Sequence, residues 1–215
     1  MDVRNLWDEA MKEATEDVLY GEVTQQAMNC SSIGAPKIPQ EFLRIMALVK
    51  YACAKANGSL SCISQEKAEL IQAIALEIYQ GKWAESFPLE IFQSGGCTPT
   101  HMNLNEVISG IAKKYKATDI HPNDDCNYGQ STSDVIPTTL NIAIRESVKQ
   151  GLLPALEACK KVLEGKENEW SDLAILGRTH TMDAVPMTLG QIFSGYRRQL
   201  EKNIESLQNN LGRFL

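Results

Sequence analysis

The chain carries no block of lysine or arginine, and its 21 basic residues are outnumbered by 27 acidic ones, for a formal net charge of -6. Nucleic acid and anionic membrane are therefore not expected as partners, since both depend on clustered positive charge. No apolar run reaches the ~18 residues that a membrane span requires. No apolar h-region follows the charged start, so no signal peptide is visible and a cytoplasmic protein is expected. The six cysteines (Cys30, Cys53, Cys62, Cys97, Cys126, Cys159) form no CxxC and have no paired spacing with the three histidines. That pattern reads as reduced thiols and excludes a recognisable disulfide or zinc framework; no metal site is expected. Clean two-residue alternation, the mark of a half-buried strand, is also missing.

The 215 residues, 43% of them hydrophobic, leave room for a substantial core. Gly, Pro and Ser cluster at 29–39, 57–64, 94–100 and 121–133, which marks these as loops. Between them apolar residues recur at helical spacing: Phe42, Ile45, Met46, Val49 and Ala52 over 40–56; Ala68, Ile71, Ile74, Ala75 and Ile78 over 65–80; Met102, Val107, Ile108, Ile111 and Tyr115 over 101–116. A helix-like charged stretch is expected over Asp2–Asp17. After Ser133 a stripe through Ile136, Leu140, Ile144, Val148, Leu152, Leu156, Cys159 and Leu163 predicts one helix of roughly 30 residues, about 45 Å long. Pro137 is placed in its first turn, where a missing N–H is harmless, and Pro154 is expected to bend the second half.

A second rod is opened by Pro186 and shows Leu189, Ile192, Phe193, Tyr196, Leu200, Ile204, Leu207, Leu211 and Phe214, with its periodicity unbroken at Leu215. Two rods with broad apolar faces cannot bury themselves on each other alone, so further chain, other subunits or both are expected to cover them. The fold class predicted is mainly α: a small helical domain over 1–129, then the first long helices of a central bundle over 130–215.

Three polar loops stand out. The first, Gln93 to Glu106, offers glycines for close backbone approach together with Thr98, Thr100, His101, Asn103 and Asn105. The second, His121 to Asp134, crowds Ser131, Thr132 and Ser133 at a helix start, where hydroxyls and N–H groups can hold a carboxylate. The third places Arg178, Thr179 and His180 after Gly177 at the mouth of the second rod, the parts of an anion site. A local group of donors can outweigh the global negative charge within about one Debye length, roughly 8 Å. Each residue alone also has an ordinary explanation. Ser131 or Ser133 can simply cap a helix, His121 can belong to a turn, His101 to a cap or the surface, and His180 to structure.

Taken jointly, these segments resemble the fumarase/aspartase superfamily, in the branch of class II fumarase and aspartase. The resemblance runs through Tyr20-Gly-Glu-Val-Thr24, Phe87-Pro-Leu-Glu-Ile-Phe-Gln93, Met102-Asn-Leu-Asn-Glu106, His121-Pro-Asn-Asp124, Gln130-Ser-Thr-Ser-Asp-Val-Ile-Pro-Thr138 and Gly177-Arg-Thr-His180. It implies a lyase that releases fumarate from a succinyl compound, malate or aspartate, by reversible β-elimination. By match to the family motifs, Thr98, Ser131, Thr132, Ser133 and Thr179 bind a small dicarboxylate, and Thr179 and His180 are catalytic. His121, Asn123 and Asp124 match a secondary anion site near the entrance. No cofactor is implied, and the full assembly is a homotetramer whose sites draw on three subunits.

The chain departs from the family pattern at Gly96 (usually serine), at Ser133 (usually asparagine) and at Gln26 (often arginine). The family's third signature, a Gly-Ser-Ser-x-Met-Pro-x-Lys-x-Asn loop bearing the catalytic serine and a carboxylate-binding lysine, does not occur in these residues. The expectation is an N-terminal portion, inactive by itself. The alternative is a non-catalytic helical assembly module built on the lyase scaffold.

Overall fold

The structure, a computed structural model, describes residues 19–30, 33–93, 95–116 and 118–212. The helix expected over Asp2–Asp17 and the end of the second rod at Phe214 lie outside them. Helices α1 (Glu22–Cys30), α2 (Gln40–Ser59), α3 (Gln65–Tyr79), α4 (Thr98–Lys116) and α5 (Thr132–Ser147) come first. A π-helical turn, Val148–Leu152, leads into α6 (Leu153–Glu169); then follow strands β1 (Ala174–Thr179) and β2 (Met182–Thr188) and helix α7 (Leu189–Leu211). The class is mainly α, as the periodicity predicts. Two compact units divide between Leu140 and Asn141, within α5.

The first unit holds the main core. The stripes predicted on α2, α3 and α4 converge there: Leu43, Met46, Ile71, Ile74, Leu104, Val107, Ile108 and Ile111 are all essentially inaccessible. Burying side chains of this size contributes about 1.5–3 kcal/mol each. Small residues let α2 and α3 approach closely: a Cβ on Gly58 would stand 2.6 Å from that of Ala68. Helix α1 is tied to α4 by one carboxylate. Buried Glu106 accepts from the Gly21, Val23 and Thr24 N–H groups at 3.0, 2.9 and 3.1 Å and from Thr24 Oγ1 at 2.6 Å, satisfying donors that a helix start leaves open.

In the second unit α6 packs with α7. Trp170 meets Phe193 edge-on with centroids 4.9 Å apart, and Arg197 Nε donates to Glu167 at 2.6 Å. Gly190 is buried where a Cβ would meet the Glu167 carbonyl oxygen at 2.6 Å. The long helix is not a uniform rod. Pro137 is the sixth residue of α5, not in its first turn, and so removes one i→i−4 bond. Pro154, which has no N–H to offer Gln150, follows the π turn closed by Leu153 N–H donating to the Val148 carbonyl. The helix widens rather than breaks, a recurrent response to an inserted proline.

The largest correction concerns 174–188. Pro186 opens no helix; it lies in β2, paired with Leu176 of β1 in an antiparallel hairpin. Proline suits an edge strand of this two-stranded ribbon because no donor is required of it. Helix α7 begins only at Leu189, where the Thr188 side chain accepts from Gln191 N and the Gln191 side chain returns the bond to Thr188 N, a full capping box.

Candidate active-site loops

The three loops differ in how firmly they are held. In the first, Gly95, Gly96 and Cys97 take φ values of 67°, 59° and 67°, so three successive left-handed residues turn the chain into α4. The conformation is free for glycine but costs Cys97 on the order of 1 kcal/mol. Exposed Thr98 donates its hydroxyl to the Gly95 carbonyl at 2.6 Å. Behind it, Gln93 Oε1 accepts from both Thr100 N and Oγ1, at 2.9 and 2.8 Å. Gln93 thus serves as a remote cap for α4, a role that no local capping pattern announces.

The second loop rests on buried charge and buried imidazole. Ser131 acts as the N-cap of α5: its carbonyl accepts from Asp134 N and Val135 N at 3.1 and 3.0 Å, and its Oγ from Ser133 N at 3.2 Å. The capping explanation therefore holds for Ser131, while Ser133 is exposed. Half-buried Thr132 is gripped from behind by His101, whose Nδ1 lies 2.9 Å from Thr132 Oγ1. His101 is no surface residue: it is fully inaccessible, and its Nε2 has no partner. Burial, reinforced by the positive charge of Lys50, lowers its pKa from 6.5 to about 3, so the ring is neutral at any physiological pH.

Lys50 is the larger surprise. It is 1% exposed, and its Nζ donates to Gln130 Oε1 at 2.8 Å, Asn127 Oδ1 at 3.0 Å and the Cys126 carbonyl at 3.4 Å. Neutral acceptors, not a carboxylate, satisfy this cation. Burial pulls its pKa down to about 8, which still leaves it charged at pH 7. The adjacent Cys126 thiol is pushed up to about 12 by burial, so it is an inert core thiol. Lys67 anchors the same loop through Asp125, at 2.7 Å. Lys50 escaped sequence reading because it sits within an amphipathic helix pattern, where a lysine ordinarily faces water.

His121, Asn123 and Asp124 are exposed on the outer turn of this loop. His121 Nδ1 accepts from Asp124 N at 3.1 Å, and Asp125 Oδ2 accepts from His121 N at 2.8 Å. This is turn chemistry of the kind read from the sequence.

The third loop belongs to the second unit and is described by itself. Thr179 pairs with Met182, leaving His180 and Thr181 as a two-residue turn with φ of 52° and 65°. Two positive φ values define a type I′ turn, normally filled by Asn and Gly. Arg178, Thr179 and His180 are exposed at this tip, far along the chain from the start of α7. They are not at a helix mouth, so the dipole argument for an anion site does not apply to them. Opposite Gly177 the β2 strand carries a bulge at Ala184–Val185, where the register shifts between Leu176 and Arg178. The bulge and the strained tip together re-aim the segment. They also hide its alternation, which explains why no strand was expected. Among the described residues no group of His, Cys, Asp and Glu could hold a metal ion, and no helix is long and apolar enough to cross a membrane.

A helical scaffold with hydroxyl-bearing loops at helix starts and a strained histidine hairpin defines a class of protein before any relative is consulted. The lyase family model matches residues 10–215, and the chain belongs to that family. Class II fumarate hydratase of Chlamydia trachomatis is 41% identical over 198 residues, covering 89% of this chain and 43% of the relative. That of Mycobacterium tuberculosis (strain H37Rv) is 43% identical over 196 residues, covering 91% and 41%. The chain therefore spans less than half the length of these relatives. Among solved structures, a fumarate lyase:delta crystallin from Brucella melitensis superposes with a TM-score of 0.86 at 33% identity, covering 92% of this chain and 48% of that one. Class II fumarase from Schistosoma mansoni gives 0.85 at 32%, covering 94% and 44%.

Proposed function

We propose that this chain supplies the carboxylate-binding part of a fumarate-forming lyase acting by reversible β-elimination on malate or aspartate. The observation that carries the reading is the start of α5, where Thr132 is held at 2.9 Å by a buried histidine in a chain whose relatives are fumarate hydratases. In the reaction a base takes the Cβ proton and its electron pair moves into the adjacent carboxylate. The resulting aci-carboxylate returns the pair, and hydroxide or the amine departs from Cα. Charge builds on one carboxyl group, so fixed donors around it are the main source of rate.

In this reading Thr98, Ser131, Thr132, Ser133 and Thr179 supply hydroxyl donors to the substrate. His180 and Thr179 flank the developing charge, His180 exchanging the proton. His121, Asn123 and Asp124 form a weaker secondary anion site. No cofactor is needed, and the working form is a cytoplasmic homotetramer. The bundle domain begins at residue 130. The proton-abstracting serine and the carboxylate-binding lysine come from a segment outside these 215 residues, so the chain alone turns over no substrate.

Fumarate absorbance with malate or aspartate tests this, using the chain alone and then a longer polypeptide that joins it to the Gly-Ser-Ser segment. The expected result is no fumarate from the first and turnover from the second. In the active form, His180→Ala is expected to lower kcat by about 100-fold or more, the usual contribution of a general acid or base. Robust turnover by the 215 residues refutes the divided site. A longer polypeptide inert towards both substrates supports the alternative, a non-catalytic assembly module, which the Gly96, Ser133 and Gln26 departures favour.

A further inference from the structure

We infer that His101 is a positioning residue that gives the Thr132 hydroxyl its direction: the ring donates Nδ1–H to Thr132 Oγ1, leaving the hydroxyl proton free to donate outward to a carboxylate. The inference rests on the proposed carboxylate role of Thr132.

The Nδ1 to Oγ1 separation is 2.9 Å, and a hydrogen bond at that distance can run either way. A neutral imidazole has one donor and one acceptor nitrogen. If Nδ1 accepts, the Thr132 hydroxyl is spent on the ring and Nε2 must carry the proton. That proton would be a buried N–H with no acceptor, since Nε2 is inaccessible and unpartnered. Buried orphan donors are rarer than under-satisfied acceptors. The surroundings point the same way. Asn105 Oδ1, one helical turn further along α4, is also buried and unpaired. An Nε2–H would have a ready acceptor in it, yet no such bond is made. Two bare acceptors are what the Nδ1–H form leaves behind.

The ring also cannot serve as an imidazolium. Lys50 is buried nearby with its own charge satisfied by neutral oxygens, and a second cation in the same enclosed region would be repelled. The consequence is a one-way relay. His101 acts on Thr132, and Thr132 acts on the ligand. A histidine suits the task because its Nδ1–H is held in a rigid ring packed in the core, whereas a water or hydroxyl could turn and withdraw the donor.

Two-bond 1H–15N correlation spectra read the tautomer directly, and the protein has only three histidines to assign. The expected result at pH 7 is a neutral ring protonated on Nδ1; Nε2–H or imidazolium overturns the inference. Titration with fumarate by calorimetry then compares wild type, His101→Asn and His101→Leu. Asn presents an amide donor near the position of Nδ1 and is expected to bind fumarate within a few-fold of wild type. Leu removes the donor and is expected to weaken binding about tenfold or more, the size of one hydrogen bond to a charged group. Equal weakening by Asn and Leu, with both folded by circular dichroism, also overturns it. Absence of fumarate binding by wild type instead refutes the carboxylate role of Thr132, and the hydroxyl's direction is then judged on the tautomer alone.

Discussion

Single buried polar residues hold the loops of the first unit, and His101 makes the point quantitatively. Its folded pKa of about 3 lies below the unfolded value of 6.5. Between those values the unfolded chain binds a proton that the folded chain does not, so this residue's contribution to stability falls as pH falls through that window. Above pH 6.5 it is fully present. The slope approaches about 1.4 kcal/mol per pH unit at most. Comparing urea unfolding of wild type and His101→Asn from pH 7 to 4 isolates the effect, because the amide does not titrate. The expected outcome is a wild-type stability that declines more steeply, and parallel curves would contradict it. None of this was legible in the sequence. A histidine at helical spacing next to Met102 and Asn103 looks the same whether it faces water or the core, and only the packing of α2 and α4 decides. Lys50 was invisible for the same reason.

At the scale of elements, the periodic helices were legible and the hairpin was not. Helices α2 and α3 follow their apolar stripes to within a few residues, because a one-sided 3.6-residue repeat admits few other structures. The β-hairpin failed on three counts: a bulge at Ala184–Val185, a proline in β2 and a turn of His180 and Thr181 in place of the usual Asn-Gly. Each masks a signal on which strand recognition depends. The real start of α7 was nonetheless written in Thr188 and Gln191, whose mutual bonds measure 3.2 and 2.9 Å. Thr188→Ala is expected to lower stability by about 1 kcal/mol. Faster amide exchange in the first turn of α7, with α2 and α3 unaffected, is the accompanying signature; uniform loss of protection across the molecule would argue against a local cap.

For the whole molecule, the two units contrast in how much apolar surface they hide. The first buries nearly all of its large aliphatic side chains. In the second, Val162, Met182, Val185 and Tyr196 are 63%, 69%, 70% and 55% exposed, while Ile204 is fully covered. Apolar exposure of this kind favours association. Sedimentation velocity is expected to show concentration-dependent oligomers of the 215 residues, and replacing Val162 and Val185 by lysine is expected to shift the distribution towards monomer. A sharp monomer at all concentrations would contradict this. That the rods have faces to cover was readable from their stripes. What covers them is a property of other surfaces, which a single chain's periodicity does not encode.

The widened turn at Val148–Leu152 has a geometric consequence for the second unit. From Ile144 to Leu163 an ideal α-helix turns through about five revolutions and a further 100°. The two half-buried side chains would then point in different directions. One π turn acts as a single inserted residue and takes back about 100°, which returns Leu163 to the azimuth of Ile144. The turn works as a phase corrector in the helix, and its residue count matters more than its side chains. Losing one residue anywhere in 148–152 would spare the helix yet swing everything beyond it by more than a quarter of a revolution.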